Sequence, residues 1–185
     1  MSLANQISKI GFTDKNTVHS YIPVYENLFR NRYETAQNVL EIGVFDGGSI
    51  KLWEDSFPNA QIYGLDVDMK RNRCKFGKRV HLLQGDAYNQ AKLQELLQNV
   101  ALDVAIDDGP HTLQSMIAFL KLYFPKLSVD GVLVIEDVQD IAWIPTLKQN
   151  VPVEFQDCIM VEDRRSVKNR YDDVLFIVDK SKKTL

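Results

Sequence analysis

With 185 residues, 45% of them apolar and 25% charged, the chain has room for one core and is too short for two ordinary domains. A net charge of −3 supplies no global field for capturing nucleic acid, and apolar runs such as Val132 to Ile135 and Val174 to Val178 fall far short of the roughly 20 residues that span a bilayer. Cys74 and Cys158 lie far apart and outside Cys-x-x-Cys spacing, and no secretory leader pattern opens the chain, so a cytoplasmic protein with reduced thiols is expected.

In chain order, residues 1–37 are expected to form a helical cap on a single domain of residues 1–185. The cap is polar up to Ile22, then amphipathic through Tyr33, with Pro23 suited to a first helical turn. Val39 to Val44 is a short apolar, β-branched run ending in Phe45-Asp46-Gly47-Gly48-Ser49, which predicts strand, turn and helix start; that helix stops before Pro58. Gln61 to Val67 and Val80 to Asp86 predict two more strands, with a basic segment from Lys70 to Arg79 between them. The spacing of Leu93, Leu96 and Leu97 predicts a helix over Asn89 to Asn99. A strand from Leu102 to Asp108, a helix from His111 to Phe124 and a strand from Gly131 to Val138 follow. Such alternation implies right-handed βαβ units around a buried parallel sheet.

The tail breaks the rhythm. Two strand-like runs, 153–161 and 173–178, flank the charged stretch 162–171, which carries no helical pattern, and they should pair as an antiparallel hairpin. The expected fold class is α/β: a Rossmann-like three-layer sandwich whose seven-stranded, mostly parallel sheet ends in a C-terminal antiparallel hairpin.

Ligands of open parallel sheets sit outside the carboxyl ends of the strands, which directs attention to the first turn, from Glu41 and Gly43 to Gly47 and Ser49. Glycines there let the backbone turn sharply and approach a ligand. Asp66 ends the second strand, where a carboxylate can accept from both ribose hydroxyls, and Asp86 ends the third, near where an adenine amino group would lie. The turn does not match the dinucleotide pattern G-x-G-x-x-G, and an acid at position 41 suits the cationic methionine end of S-adenosylmethionine better than a pyrophosphate.

The fourth and fifth strands end in Asp107-Asp108-Gly109-Pro110-His111 and Glu136-Asp137. Carboxylates crowded there repel and take up protons unless a cation lies between them, and oxygen donors suit Mg2+ or Mn2+. Because successive strand residues face opposite sides, Asp108, Glu136 and Asp137 are expected as metal ligands, with Asp107 shaping the loop or meeting the methionine part of the cofactor. His111, expected at a helix N-terminus, would stay neutral and serve as base, with Asp108 beside it as the second catalytic residue. His81 is read as structural.

These residues resemble the macrocin/mycinamicin-type sugar O-methyltransferases and their bacterial relatives. The resemblance rests on Thr13-Asp14-Lys15 with His19, Tyr21 and Tyr25, on the segment from Val39 to Val67, on IDDGPHT and on VIEDV. It implies a Mg2+ site at Asp108, Glu136 and Asp137, a base at His111, and an N-terminal segment with Lys15 that closes over the cofactor. The full expected cofactor set is Lys15, Glu41, Gly43, Gly47, Ser49, Asp66, Val67, Asp86, Ala87 and Asp107. Pro110 departs from the serine usual in that family, and no separate domain remains to recognise a large macrolide.

Two other enzyme classes compete: a nucleotide-dependent oxidoreductase or epimerase, which lacks its glycine pattern, and a nucleic-acid methyltransferase, suggested by the basic segment with Phe76. A cofactor-binding module without activity is the non-enzymatic reading, opposed by the complete acid set. The expected partner is a small-molecule or sugar acceptor, with no membrane, with nucleic acid disfavoured and with room for a homo-oligomer. Arg164, Arg165, Lys168 and Arg170 near the acceptor side extend the choice to a sugar phosphate or an acidic small molecule.

Overall fold

A computed structural model of the chain describes residues 3, 6–7 and 13–183. Among these, seven strands form one sheet in the order β3-β2-β1-β4-β5-β7-β6: β1 is Asn38–Ile42, β2 Gln61–Asp66, β3 Val80–Gln84, β4 Leu102–Asp107, β5 Leu127–Ile135, β6 Ile159–Asp163 and β7 Val174–Asp179. The first five run parallel to one another, whereas β7 lies antiparallel between β5 and β6.

The alternation of strand side chains builds the three layers. Leu40, Ile42, Ala105, Leu133, Ile135, Phe176 and Val178 enter one core, against α4 (Gln90–Leu97), α5 (Leu113–Tyr123) and α6 (Ile144–Gln149). Val39, Val104, Ile106, Val132, Val134, Leu175 and Ile177 enter the other, against α2 (Ile22–Phe29) and α3 (Gly48–Ser56). Both faces are therefore covered, as a parallel sheet of near-continuous apolar strands requires. On the second face Tyr25, Phe29, Trp53 and Phe57 pack ring against ring at centroid separations of 5.0 to 6.3 Å. That contact locks the N-terminal helix onto the first crossover helix.

The predicted alternation and the fold class hold, and three local expectations are corrected. The last hairpin starts later than expected: Val153–Cys158 forms 3-10 turns after Pro152, and β6 begins at Ile159. In a strand Val153 and Phe155 would share a face; the turn leaves Val153 84% exposed and packs Phe155 on Phe124 instead. Residues Arg165–Lys168 of the charged stretch make a single helical turn, α7, stopped by left-handed Asn169. The helix expected from His111 begins at Leu113, because Thr112 is its N-cap and forms a reciprocal capping box with Ser115. His81 is structural as expected, bonded through Nε2 to Gln61 at 2.8 Å and stacked on Tyr63. No helix among the described residues is long and apolar enough to cross a membrane.

Candidate active site

All the strand-end residues singled out above lie at the carboxyl ends of β1 to β5. Gly43 and Gly47 adopt left-handed backbones, φ +91° and +90°. A Cβ at Gly43 would lie 2.0 Å from the Asp108 carbonyl oxygen, so this glycine lets the ends of β1 and β4 close on each other. A cavity of about 270 Å3 opens there, lined by Thr13, Asp14, Thr17, Gly43 to Asp46, Ser49 and Asp108.

Asp66 sets the shape of this turn. Its Oδ2 accepts from the backbone N–H groups of Val44 (2.8 Å) and Phe45 (3.1 Å), and its Oδ1 accepts from Asp68 N–H (3.0 Å). Val67, beside it, is exposed. Asp86 accepts from Tyr88 N–H at 2.9 Å, so it holds its own turn, and the adjacent Ala87 is buried.

Asp107 and Asp108 point to opposite sides. Asp107 is buried on the α5 face, where Tyr88 Oη donates to it at 2.5 Å, and burial pushes its carboxyl up to about 7. Asp108 faces the N-terminal segment.

That segment carries the least expected feature of the site. α1 (Asp14–Thr17), capped by Thr13, inserts Lys15 into the acid cluster with no exposed surface. Lys15 Nζ lies 2.7 Å from Asp108 Oδ2, 2.7 and 2.9 Å from the two Glu136 oxygens and 3.0 Å from Glu41 Oε1. Burial pulls the ammonium pKa down, but Asp108, Glu136 and Glu41 outweigh it, so the group is held charged well above its ordinary range. Burial also raises the carboxyls, that of Glu41 to about 7 against the opposing pull of Lys15, and that of Glu136 well above its usual range. Glu41 is completed by Trp53 Nε1–H at 3.0 Å. Its charge is thus met from within the chain.

Tyr21 and Tyr25, four residues apart around the start of α2, present hydroxyls to the acid pair after β5. Tyr21 Oη donates to Asp137 Oδ1 at 2.5 Å and Tyr25 Oη to Glu136 Oε1. Burial, then the Asp108 charge, pushes Asp137 up to about 7. His19 Nδ1 lies 3.3 Å from both Asp137 and Asp173, and Asp173 also accepts from the Ser20 N–H (3.3 Å) and hydroxyl (2.7 Å). Burial lowers the pKa of His111, so the imidazole tends to be neutral. Its Nε2 lies 3.7 Å from Asp108 Oδ1 and from Asp137 Oδ2. His111 and Asp137 both have left-handed backbones, φ +51° and +53°, an unfavourable conformation for non-glycine residues that clusters at functional sites.

The acids therefore form two sets with ligand atoms within 4.8 Å of one another: Glu41, Asp108 and Glu136, into which Lys15 projects, and Asp108, His111 and Asp137. Asp108 belongs to both. Sequence pattern carries no signal for the roles of Tyr88 and Asp173; for Tyr21 and Tyr25 the available signal is their four-residue spacing beside Pro23, which puts both on one face. The four cations of residues 164–170 are internally engaged. Arg164 bonds Ser20, Arg165 pairs with Asp163, Arg170 with Asp172, and Lys168 Nζ bonds the carbonyls of Asn16, Thr17 and His19. In the basic segment Arg79 is spent on the carbonyls of Glu54, Phe57 and Ala60.

The chain is 34% identical over 140 residues to the 8-demethyl-8-alpha-L-rhamnosyl tetracenomycin-C 2'-O-methyltransferase of Streptomyces olivaceus, covering 71% of this chain and 36% of that protein. It is 32% identical over 148 residues to the mycinamicin VI 2''-O-methyltransferase of Micromonospora griseorubida, covering 75% and 37%. The chain spans little more than a third of the length of these relatives. Its fold matches that of the MycE methyltransferase of mycinamycin biosynthesis, solved with Mg, SAH and mycinamycin VI, at a TM-score of 0.74 and 23% identity over 97% of this chain and 53% of that one. A family of methyltransferase domains matches residues 40–138. That span holds more than half of the chain and every strand-end acid from Glu41 to Asp137, and the chain belongs to this methyltransferase-domain family.

Proposed function

We propose that this chain transfers the methyl group of S-adenosylmethionine to a hydroxyl of a sugar or another small neutral molecule, assisted by Mg2+ or Mn2+. In this reading residues 1–185 act as one cytoplasmic methyltransferase domain with 1–37 as its cap. The observation that carries it is the meeting, at one end of the sheet, of a glycine cradle with the oxygen donors of Asp108 and Asp137 and the Nε2 of His111. The relatives named for O-methylation of sugar-bearing molecules support the same chemistry.

The cofactor would lie along the ends of β1, β2 and β3. Gly43, Gly47 and Ser49 approach its methionine part, Asp66 and Val67 its ribose, Asp86 and Ala87 its adenine. Asp107, turned toward Tyr88, supports the loop and does not reach into the cavity. Glu41 and Lys15 act on the cofactor indirectly, through the acids they balance.

Hard oxygen donors with no thiolate fit Mg2+ or Mn2+. Asp108 and Asp137 would hold the ion, with Glu136 behind them engaged by Lys15 and Tyr25. Once bound, such an ion is a Lewis acid that makes a coordinated hydroxyl more acidic. His111, tending to neutral through burial, accepts the hydroxyl proton as the oxygen attacks the methyl carbon. Tyr21 orients Asp137 and keeps its Oδ1 from the acceptor. The internal pairing of Arg164, Arg165, Lys168 and Arg170 favours a neutral acceptor over a phosphorylated or acidic one.

Release of S-adenosylhomocysteine is the test, measured over a panel of neutral glycosides, sugar phosphates and catechols with and without EDTA. Turnover of a neutral glycoside that EDTA abolishes is expected. Full turnover in excess EDTA would remove the metal from the reading, and binding of NAD in place of S-adenosylhomocysteine by calorimetry would remove methyl transfer.

A further inference from the structure

The acid centre offers two cation positions, and the chain already brings a cation of its own to one of them. Nζ of Lys15 lies within 3.0 Å of Glu41, Asp108 and Glu136, where the ligand atoms of the inner set converge. We propose that Lys15 is the resident counter-cation of this centre, a positioning residue that excludes a divalent ion from the inner position and confines it to the outer oxygens of Asp108 and Asp137, beside His111. The inference rests on the metal-assisted reading above.

Charge and packing carry it. Three carboxyl groups, those of Glu41, Asp108 and Glu136, contact the one ammonium and a fourth, that of Asp137, lies beside Asp108, so full ionisation leaves an excess of three negative charges that a divalent ion can offset. A dication placed in the inner set would face the Lys15 ammonium at contact distance within a buried, low-dielectric site, where like charges repel strongly. Asp108 divides its two oxygens accordingly: Oδ2 bonds Lys15 at 2.7 Å, while Oδ1 faces His111. Glu136 does not divide, since Lys15 takes both of its oxygens and Tyr25 shares one.

The lysine is also held in place from outside the cluster. Lys168 bonds three carbonyls of residues 16–19, and Asp173 binds Ser20 and His19, so withdrawing Lys15 would strip a network that joins residues 16–20 to Lys168 and Asp173.

The test is Mn2+ binding to the full chain, followed by calorimetry and by electron paramagnetic resonance of free Mn2+, in the wild type, K15M and K15R. Methionine nearly matches the volume of the lysine stem and brings no charge. The wild type is expected to take one Mn2+ and K15R to keep that isotherm. K15M is expected to take a second ion, or to bind the first at least tenfold more tightly. A lysine needed only for folding would give the opposite result, weaker binding through a disordered cluster. An isotherm for folded K15M equal to or weaker than that of the wild type overturns the proposal. Should K15M fail to fold, K15M/E41Q, which removes one acid with the ammonium, carries the same expectation and the same refutation against E41Q alone. Absence of Mn2+ binding by the wild type would refute the metal-assisted reading; tight binding by K15M in that case would still identify Lys15 as the excluding cation.

Discussion

The Tyr88 hydroxyl donates a 2.5 Å hydrogen bond to Oδ1 of Asp107 and so joins the loop after β3 to the end of β4. Asp107 is raised from an ordinary value of 3.8 to about 7 by burial, which means that the folded state binds its proton more tightly than the unfolded chain does. Its contribution to stability is then present below about pH 4 and is lost as pH rises toward 7. Urea denaturation without divalent ions should show stability falling across that window, and Asp107→Asn should flatten part of the slope. Tyr88→Phe should cost about 1–3 kcal/mol by leaving a buried acceptor unpaired. A slope unchanged in Asp107→Asn would show that this carboxyl does not hold the proton.

Gly43 carries no side chain because none fits: its φ is +91° and its Cβ would meet the Asp108 carbonyl. Gly43→Ala should lose more than about 2 kcal/mol and all measurable S-adenosylhomocysteine binding. Gly85→Ala is the control, since its Cβ meets only the flexible stem of Lys92 at 3.2 Å, and it should stay within about 0.5 kcal/mol of the wild type. Equal effects of the two changes in thermal melts would contradict the close approach of β1 and β4.

His111→Asn separates chemistry from backbone strain, because asparagine tolerates the left-handed conformation at φ +51°. Turnover should fall by roughly 10²–10⁴ as expected for loss of a general base, with circular dichroism and S-adenosylhomocysteine affinity preserved. Retained turnover would transfer the base role to another group, His19 being the nearest imidazole of this cluster.

Asp173 is fully buried and holds both Ser20 and His19. Asp173→Asn should cost about 1.5–3 kcal/mol, the scale of charge-assisted hydrogen bonds, and should loosen residues 13–20 first. Trypsin cleavage after Lys15, protected in the wild type by burial, is the readout; protection equal to that of the wild type would show that Asp173 does not anchor this segment.

Much of this was legible in the sequence because its signals are local. Period-2 and period-3.6 patterns, with Gly and Pro between them, placed every strand of the parallel part, and alternation along β4 correctly turned Asp107 away from Asp108. The helix start expected at His111 lies two residues later, at Leu113, because Pro110 imitates a helix start whereas the capping box of Thr112 and Ser115 sets it. The early start expected for the last hairpin rests on β-branched residues at 151 and 153, which propensity alone cannot distinguish from a turn against Phe124. The place of Lys15 was out of reach for a different reason: its partners Asp108 and Glu136 lie 93 and 121 residues away, and no local period encodes such a contact.

The insertion of β7 between β5 and β6 has a consequence for how the protein comes off the ribosome. β6 emerges first but has no place to pair until β7 follows, so the edge of β5 stays open until β7 is made. Lys15 emerges more than 150 residues before Asp173, to which its segment is tied through Ser20 and His19. The anchoring of the Lys15 segment over the acid centre therefore waits for β7, and a nascent chain stalled before β7 would carry both an open sheet edge and an unanchored segment over a cluster of acids for a chaperone to shield.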